Sequence, residues 1–238
     1  MDYKRCWASV DLAALSQNYR SIRRFLTPGC RYLAIVKADG YGHGAATVAS
    51  LLQKEGADWF GVATMEEALK LRRQGIYRPI LVLGYTDPTA AAVLASNTIT
   101  QTLFSEEYAL QLAQEAARAG CTVDCHVKID TGMSRLGFEA ENPGTVPLIE
   151  KLAAESRLHL TGIFTHFAVA MKIPRFPGNL PSGSLRCLCR CATVCRRRGS
   201  MWGCGIAATP PAHCCTPTII WICAVSGFHS TDWTPTPA

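Results

Sequence analysis

Six short runs rich in β-branched and aromatic residues recur along the first 170 positions, with stretches of helical periodicity between most of them. They are Y-L-A-I-V-K (32–37), W-F-G-V (59–62), P-I-L-V-L-G (79–84), T-I-T-Q-T-L-F (98–104), V-D-C-H-V-K-I-D (123–130) and L-T-G-I-F-T-H-F (160–167). Leu12, Leu15, Tyr19, Ile22 and Leu26 follow Asp11 at three- and four-residue spacing, and Asp11 can accept the free N–H groups of a helix start. Gly44 to Gly56 carries Val48, Leu51 and Leu52, with Gly56 as a helix stop. Thr64-M-E-Glu67 reads as a capping box for a helix ending at Gly75, Ser105 opens another that stops at Gly120, and a fourth covers roughly 144–155. Strands joined through helices pair in parallel, because a parallel connection needs a crossover. The pattern fits either most of a (β/α)₈ barrel or a doubly wound sheet.

After Ala170 this grammar stops. M-K-I-P-R-F-P-G-N-L-P-S-G-S is rich in breakers, and T-I-I-W-I-C-A-V (218–225) is a strand pattern standing alone. Composition changes at the same place. Residues 1–168 hold 17 Lys+Arg and 17 Asp+Glu, whereas 169–238 hold 7 basic residues and a single acid, Asp232, so the tail carries the whole net charge of +6. The tail also holds eight of the 12 cysteines and eight of the 13 prolines. No apolar run reaches the roughly eighteen residues of a membrane span, and M-D-Y-K-R-C-W lacks a secretory signature, so the expected location is the cytoplasm.

Chemistry is concentrated at the end of the first strand, in A-I-V-K-A-D-G-Y-G-H-G (34–44). A lone strand-end lysine is usually a solvated charge. At the carboxyl end of a parallel strand, however, ligands bind, and apolar surroundings disfavour the ammonium form of Lys37, freeing an amine that can condense with a carbonyl cofactor. The glycines let backbone approach a ligand closely, and Tyr41 offers a hydroxyl to an anionic group. Cys121 and Cys125 read as ordinary buried thiols.

V-K-A-D-G-Y-G-H-G (36–44) resembles the pyridoxal-phosphate (PLP) attachment motif of the alanine racemase family. The resemblance extends through W-A-S-V-D-L-A-A-L-S-Q-N (7–18), A-D-W-F-G-V-A-T-M-E-E-A-L-K-L-R (57–72), P-I-L-V-L-G-Y (79–85), H-V-K-I-D-T-G-M-S-R-L-G-F (126–138) and G-I-F-T-H-F-A (162–168), in order and at similar spacing. It implies a PLP-binding (β/α)₈ barrel of which residues 1–170 supply about six of eight strands, with the family's C-terminal β domain missing. It also implies site roles. Lys37 would hold PLP and serve as the base on one face of the substrate α-carbon, and Tyr41 would bind the phosphate. Arg135 would contact the PLP phenolic oxygen and the substrate carboxylate, with Lys128 the lysine that this family carbamylates to hold that arginine. His166 would line the PLP ring and Leu83 would pack beside it. Ser134 stands where the family more often has glycine. The implied reaction interconverts L- and D-alanine, supplying D-alanine for peptidoglycan. The implied partner is the small-molecule substrate, alanine or, as in relatives, serine, with no nucleic acid and no membrane; the family forms homodimers.

The family's opposite base, a tyrosine, and the arginine facing the pyridine nitrogen come from regions whose motifs are absent from 171–238. Read from each third nucleotide of its back-translation, the tail yields strings compatible with D-E-[ND]-P, G-[VI]-D-V-G-L-R-H-C-G-N-S-A and G-I-S-L-Y-G-L, which resemble the segments expected next. A frameshift just after Ala170 is therefore expected, with 171–238 a non-homologous, poorly ordered Cys/Pro-rich tail, and a chain inactive on its own with unpaired sheet edges. Two alternatives stand beside this reading. One is a non-catalytic PLP-binding single-barrel protein of cofactor homeostasis, which would lack D-G-Y-G-H-G and K-I-D-T-G-M-S-R. The other is a metal-binding tail module built on C-x-C-x-C-x₃-C (187–195) and His213, whose spacing matches no standard pair of C-x₂-C knuckles, or a nucleic-acid contact through R-R-R at 196–198.

Overall fold

Residues 8–26 and 29–166 are described by a computed structural model, together with the backbone of 203–207 and 222–224. Six parallel strands come from the first 166 residues: β1 (Tyr32–Ile35), β2 (Trp59–Val62), β3 (Ile80–Val82), β4 (Ile99–Leu103), β5 (Val123–Asp130) and, after the two-residue β6 (Phe138–Glu139), β7 (Leu158–His166). Each of the six pairs with the next in chain order, and β6 pairs with the end of β5. A doubly wound sheet would reverse its order part-way along. This sheet never does, so the two architectures left open by the sequence resolve to the barrel type, present as a six-stranded partial barrel.

The helices lie where the periodicities put them. Asp11 accepts from the N–H groups of Ala13 and Ala14 at the start of α1 (Leu12–Phe25). The one-turn segment α2 (Lys37–Tyr41) precedes α3 (Ala45–Glu55), which ends on Gly56 in the left-handed conformation. Thr64 caps α4 (Met65–Arg73), Ser105 caps α6 (Glu106–Arg118), and α7 (Thr145–Ala153) matches the fourth expected helix. Periodicity did not reveal α5 (Ala91–Ser96), a helix of less than two turns entered through a short 3₁₀ turn at Pro88–Ala90.

Two strands come from the tail. Residues 203–207 form β8, parallel to β7, and 222–224 form β9, parallel to β1. The run at 218–225 is thus not alone, and both expected open edges are paired; β8 and β9 also approach one another. The Cys-rich pattern at 187–195, His213 and the arginines at 196–198 lie outside the described residues.

The sheet has two apolar faces. One packs under the helices, where Phe60, Val62, Ile80, Leu94, Ile99 and Leu112 are essentially fully buried, each contributing about 1.5–3 kcal/mol of transfer free energy. The other lines the barrel interior with Leu33, Ile35, Leu81 and Phe164, flanked by Tyr41, Trp59 and Leu83. At the amino end of the strands, the half-buried Arg72 guanidinium donates to the carbonyls of Ile76, Arg78, Asn97 and Thr98, tying the α4 connection to the start of β4.

A β-bulge decides what the interior receives. Cys125 is opposite Leu160, but His126 is opposite Gly162, leaving Thr161 as the extra residue. Leu158 and Leu160 consequently face the helices, while Gly162, Phe164 and His166 face inward. His126 sits fully buried beside Trp59, with ring centroids 5.0 Å apart. Gly162 is required opposite it, because a Cβ there would lie 2.5–2.7 Å from three imidazole atoms.

Gly162→Ala should therefore lower the unfolding free energy by about 1–3 kcal/mol, measured by denaturant titration. Burial also pushes the His126 imidazole down from 6.5 to about 3. The unfolded chain takes up that proton near pH 6.5 and the folded chain does not, so stability is present above that pH and falls on acidification towards 3. Between pH 7 and pH 5 the loss from His126 should be on the order of 2 kcal/mol, and His126→Gln should remove that pH dependence.

Candidate functional site

The pleat carries the interior rows out to the carboxyl ends of the strands. Leu33 and Ile35 line the interior from β1, so Lys37, two residues further, emerges at the mouth on the same side. Leu81 leads to Leu83 in the same way, His126 to Lys128, and Phe164 to His166. Lys37, Tyr41, Leu83 and His166 are half-buried, and Lys128 is only 3% exposed.

The backbone after Lys37 turns left-handed. Ala38 (φ 51, ψ 49), Asp39 (φ 53, ψ 44), Gly40 (φ 64, ψ 36) and Tyr41 (φ 53) follow one another in a conformation that costs a residue with a Cβ roughly 1–2 kcal/mol. Hydrogen bonds hold it there. Gly40 N–H donates to Val36 O at 2.9 Å, and Gly44 N–H to Asp39 O at 2.9 Å. The Asp39 carboxylate accepts from Ala45 N–H at 3.0 Å, and Ala38 N–H donates to the Glu67 carboxylate at 2.7 Å. At Gly40 an added Cβ would lie 3.3 Å from the backbone of Ala45, so glycine lets the turn fold onto the start of α3. The turn brings Tyr41 back beside Lys37, whose Nζ lies 5.9 Å from the ring centroid.

Three cations converge on His166. Burial first, then the charges of Arg135, Lys128 and Lys37, hold its imidazole below the ordinary histidine range. Burial likewise lowers the Lys128 ammonium, with Asp130 opposing and Arg135 reinforcing. Lys128 Nζ donates to Leu136 O at 2.9 Å and stands 5.9 Å from the Phe164 ring centroid. Asp130 is engaged with its own loop, accepting from Gly132 N–H at 2.9 Å and Ser134 N–H at 3.1 Å. Arg135 itself is exposed.

This donor set fits PLP. An amine is available for the aldehyde, an excess of positive charge for the phosphate and phenolate, and an apolar floor of Leu33, Ile35, Leu81 and Phe164 for the ring. All of Lys37, Tyr41, Leu83, Lys128, Arg135 and His166 fall at this one mouth. Sequence reasoning missed Phe164, which Lys128 covers, and Glu67, whose capping-box signal pointed only to its own helix. Among the described residues no three His, Cys, Asp or Glu side chains gather as a metal site, and no helix is long and apolar enough to cross a membrane.

Residues 10–198 match the family model "Alanine racemase, N-terminal domain". The alanine racemase of Desulfovibrio desulfuricans is 48% identical over 162 residues, 68% of this chain and 43% of that protein. The chain thus spans less than half the length of the curated relatives it matches. Among solved structures, alanine racemase from Clostridium difficile 630 has a TM-score of 0.80 at 31% identity, covering 93% of this chain and 58% of that one. A histidine racemase from Leuconostoc mesenteroides has a TM-score of 0.62 at 32% identity, covering 71% and 48%.

Removing one of the converging charges should release His166. In Lys128→Met its pKa, followed by NMR titration of the imidazole, should rise from its depressed value towards 6.5; an unchanged titration would contradict the convergence.

Proposed function

This chain belongs to the alanine racemase family, and we propose that its strand mouth binds PLP and takes the α-proton from alanine, Lys37 being the base on one face. The observation that carries the reading is the gathering of Lys37, Lys128 and Arg135 around His166 over an apolar floor. PLP, when bound, supplies an electron sink for the substrate α-carbon.

The chain's own residues would divide the remaining work. Lys37 would hold the cofactor, then accept and return the proton at the α-carbon. The Tyr41 hydroxyl would donate to the cofactor phosphate. Arg135 would pair with the substrate carboxylate and the phenolic oxygen, a task suited to a planar guanidinium. His166, held neutral by burial and the cations beside it, would face the ring without adding charge, and Leu83 would pack against it. Carbamylated, Lys128 would become an anion and its repulsion of Arg135 would turn into attraction.

Racemisation needs a second base on the opposite face, and in this family it is a tyrosine from the part of the protein beyond the matched span. We read the tail after Ala170 as the product of a shifted frame, which sequencing of the surrounding codons tests. Likeness to a histidine racemase leaves the substrate side chain to be tested as well, so alanine, serine and histidine belong in the same assay.

The 238-residue polypeptide should bind PLP at Lys37, with borohydride-fixed label on the peptide carrying that lysine and none there in Lys37→Ala. It should racemise alanine at or near background. Label confined to other lysines would refute the binding, and turnover near that of a full-length relative would refute the missing base.

A further inference from the structure

We propose that Glu67 is the positioning residue for Lys37: its carboxylate holds the Ala38 N–H and so fixes the left-handed turn that aims the Lys37 amine into the strand mouth. The inference rests on Lys37 being the cofactor-bearing lysine.

Glu67 is the third residue of α4, where a capping box sends the acid back to the helix's own first N–H. Its oxygens go elsewhere. Oε2 accepts from Ala63 N–H at 2.7 Å, just past the end of β2, and Oε1 accepts from Ala38 N–H at 2.7 Å, just past Lys37. One carboxylate thus ties the carboxyl ends of two adjacent strands together. A helix cap alone needs neither bond, since Thr64 Oγ1 already accepts from Glu67 N–H.

Ala38 needs the restraint. It opens a run of four left-handed residues, three of which carry a Cβ, and would relax to the right-handed side if released. The other side-chain tie from α4, Lys70 Nζ to Asp39 Oδ1 at 3.7 Å, joins two groups that are each 58% exposed and contributes little. Position 67 also needs both oxygens. Glutamine offers one acceptor and, in place of the other, an NH₂ that meets an N–H donor head-on.

The test compares the parent chain, Glu67→Gln, Thr64→Ala and the double variant Glu67→Gln/Ala38→Gly, each at a temperature where circular dichroism shows it folded. Two readouts are taken: amide hydrogen exchange at Ala38, and borohydride-fixed PLP incorporation at Lys37 by peptide mass spectrometry. Glu67→Gln should lose about tenfold or more in both, as expected for losing a hydrogen bond to a charged group. Thr64→Ala, which weakens the α4 cap without touching Ala38, should keep both. Glycine at 38 removes the left-handed penalty, so the double variant should regain Lys37 incorporation, a rescue that a purely helix-capping role would not produce. Parent-level incorporation in Glu67→Gln, an equal loss in Thr64→Ala, or no rescue by Ala38→Gly overturns the inference while leaving Lys37 as the PLP site. Absence of label at Lys37 in the parent overturns that site and this inference together.

Discussion

The structure depends on the period-two alternation of side chains across a strand, applied to a sheet with both faces covered. Every inward residue has a fixed successor two positions on, so whatever lies at the carboxyl end of an interior row is delivered to the mouth whether polar or not. Leu33 and Ile35 deliver Lys37, Leu81 delivers Leu83, and His126 delivers Lys128. The seventh strand obeys the same rule only after its phase is corrected at Thr161. Without that extra residue Phe164 and His166 would lie against the helices and Ile163 and Thr165 would face the interior.

What the alternation assembles is electrostatically unfavourable by itself. Burial disfavours charge on Lys128 and on His166, Lys37 and Arg135 add positive charge beside them, and the nearby carboxylate, Asp130, is occupied by backbone N–H groups of its loop. A cluster of this kind is at ease only with an anion among its members. The apolar interior beneath it raises the effective strength of that attraction, because it excludes the water that would otherwise screen the charges.

Much of this was readable from residue order. Strands of three to nine residues bounded by glycine and caps announce themselves, and all six expected in the first 170 positions are present. Among the proposed site residues, Lys37 and Tyr41 stand out by their place just past the first strand, whereas Leu83, Lys128, Arg135 and His166 are singled out by the family resemblance. Three features were not legible. The short α5 has too few turns to display a period. The Thr161 bulge has no local signature, and the imidazole of His126 that Gly162 makes room for lies on the neighbouring strand. The tail strand at 203–207 has no pattern that marks it, and the run at 218–225 reads as a strand without showing that 222–224 pairs with β1. Glu67 shows a subtler limit: its residue type and spacing were noticed and explained, but by a local role that used only part of its capacity.

The bond from Glu67 to Ala38 has a bearing on how such barrels can be cut and recombined. A βα unit is commonly treated as a module, exchangeable at the loops. Here the first strand's terminal turn is completed by the second unit's helix, across 29 residues of sequence. The segment from β1 to α4 therefore behaves as one indivisible piece. A chimaera joined within it would inherit a lysine from one parent and the means of aiming it from another.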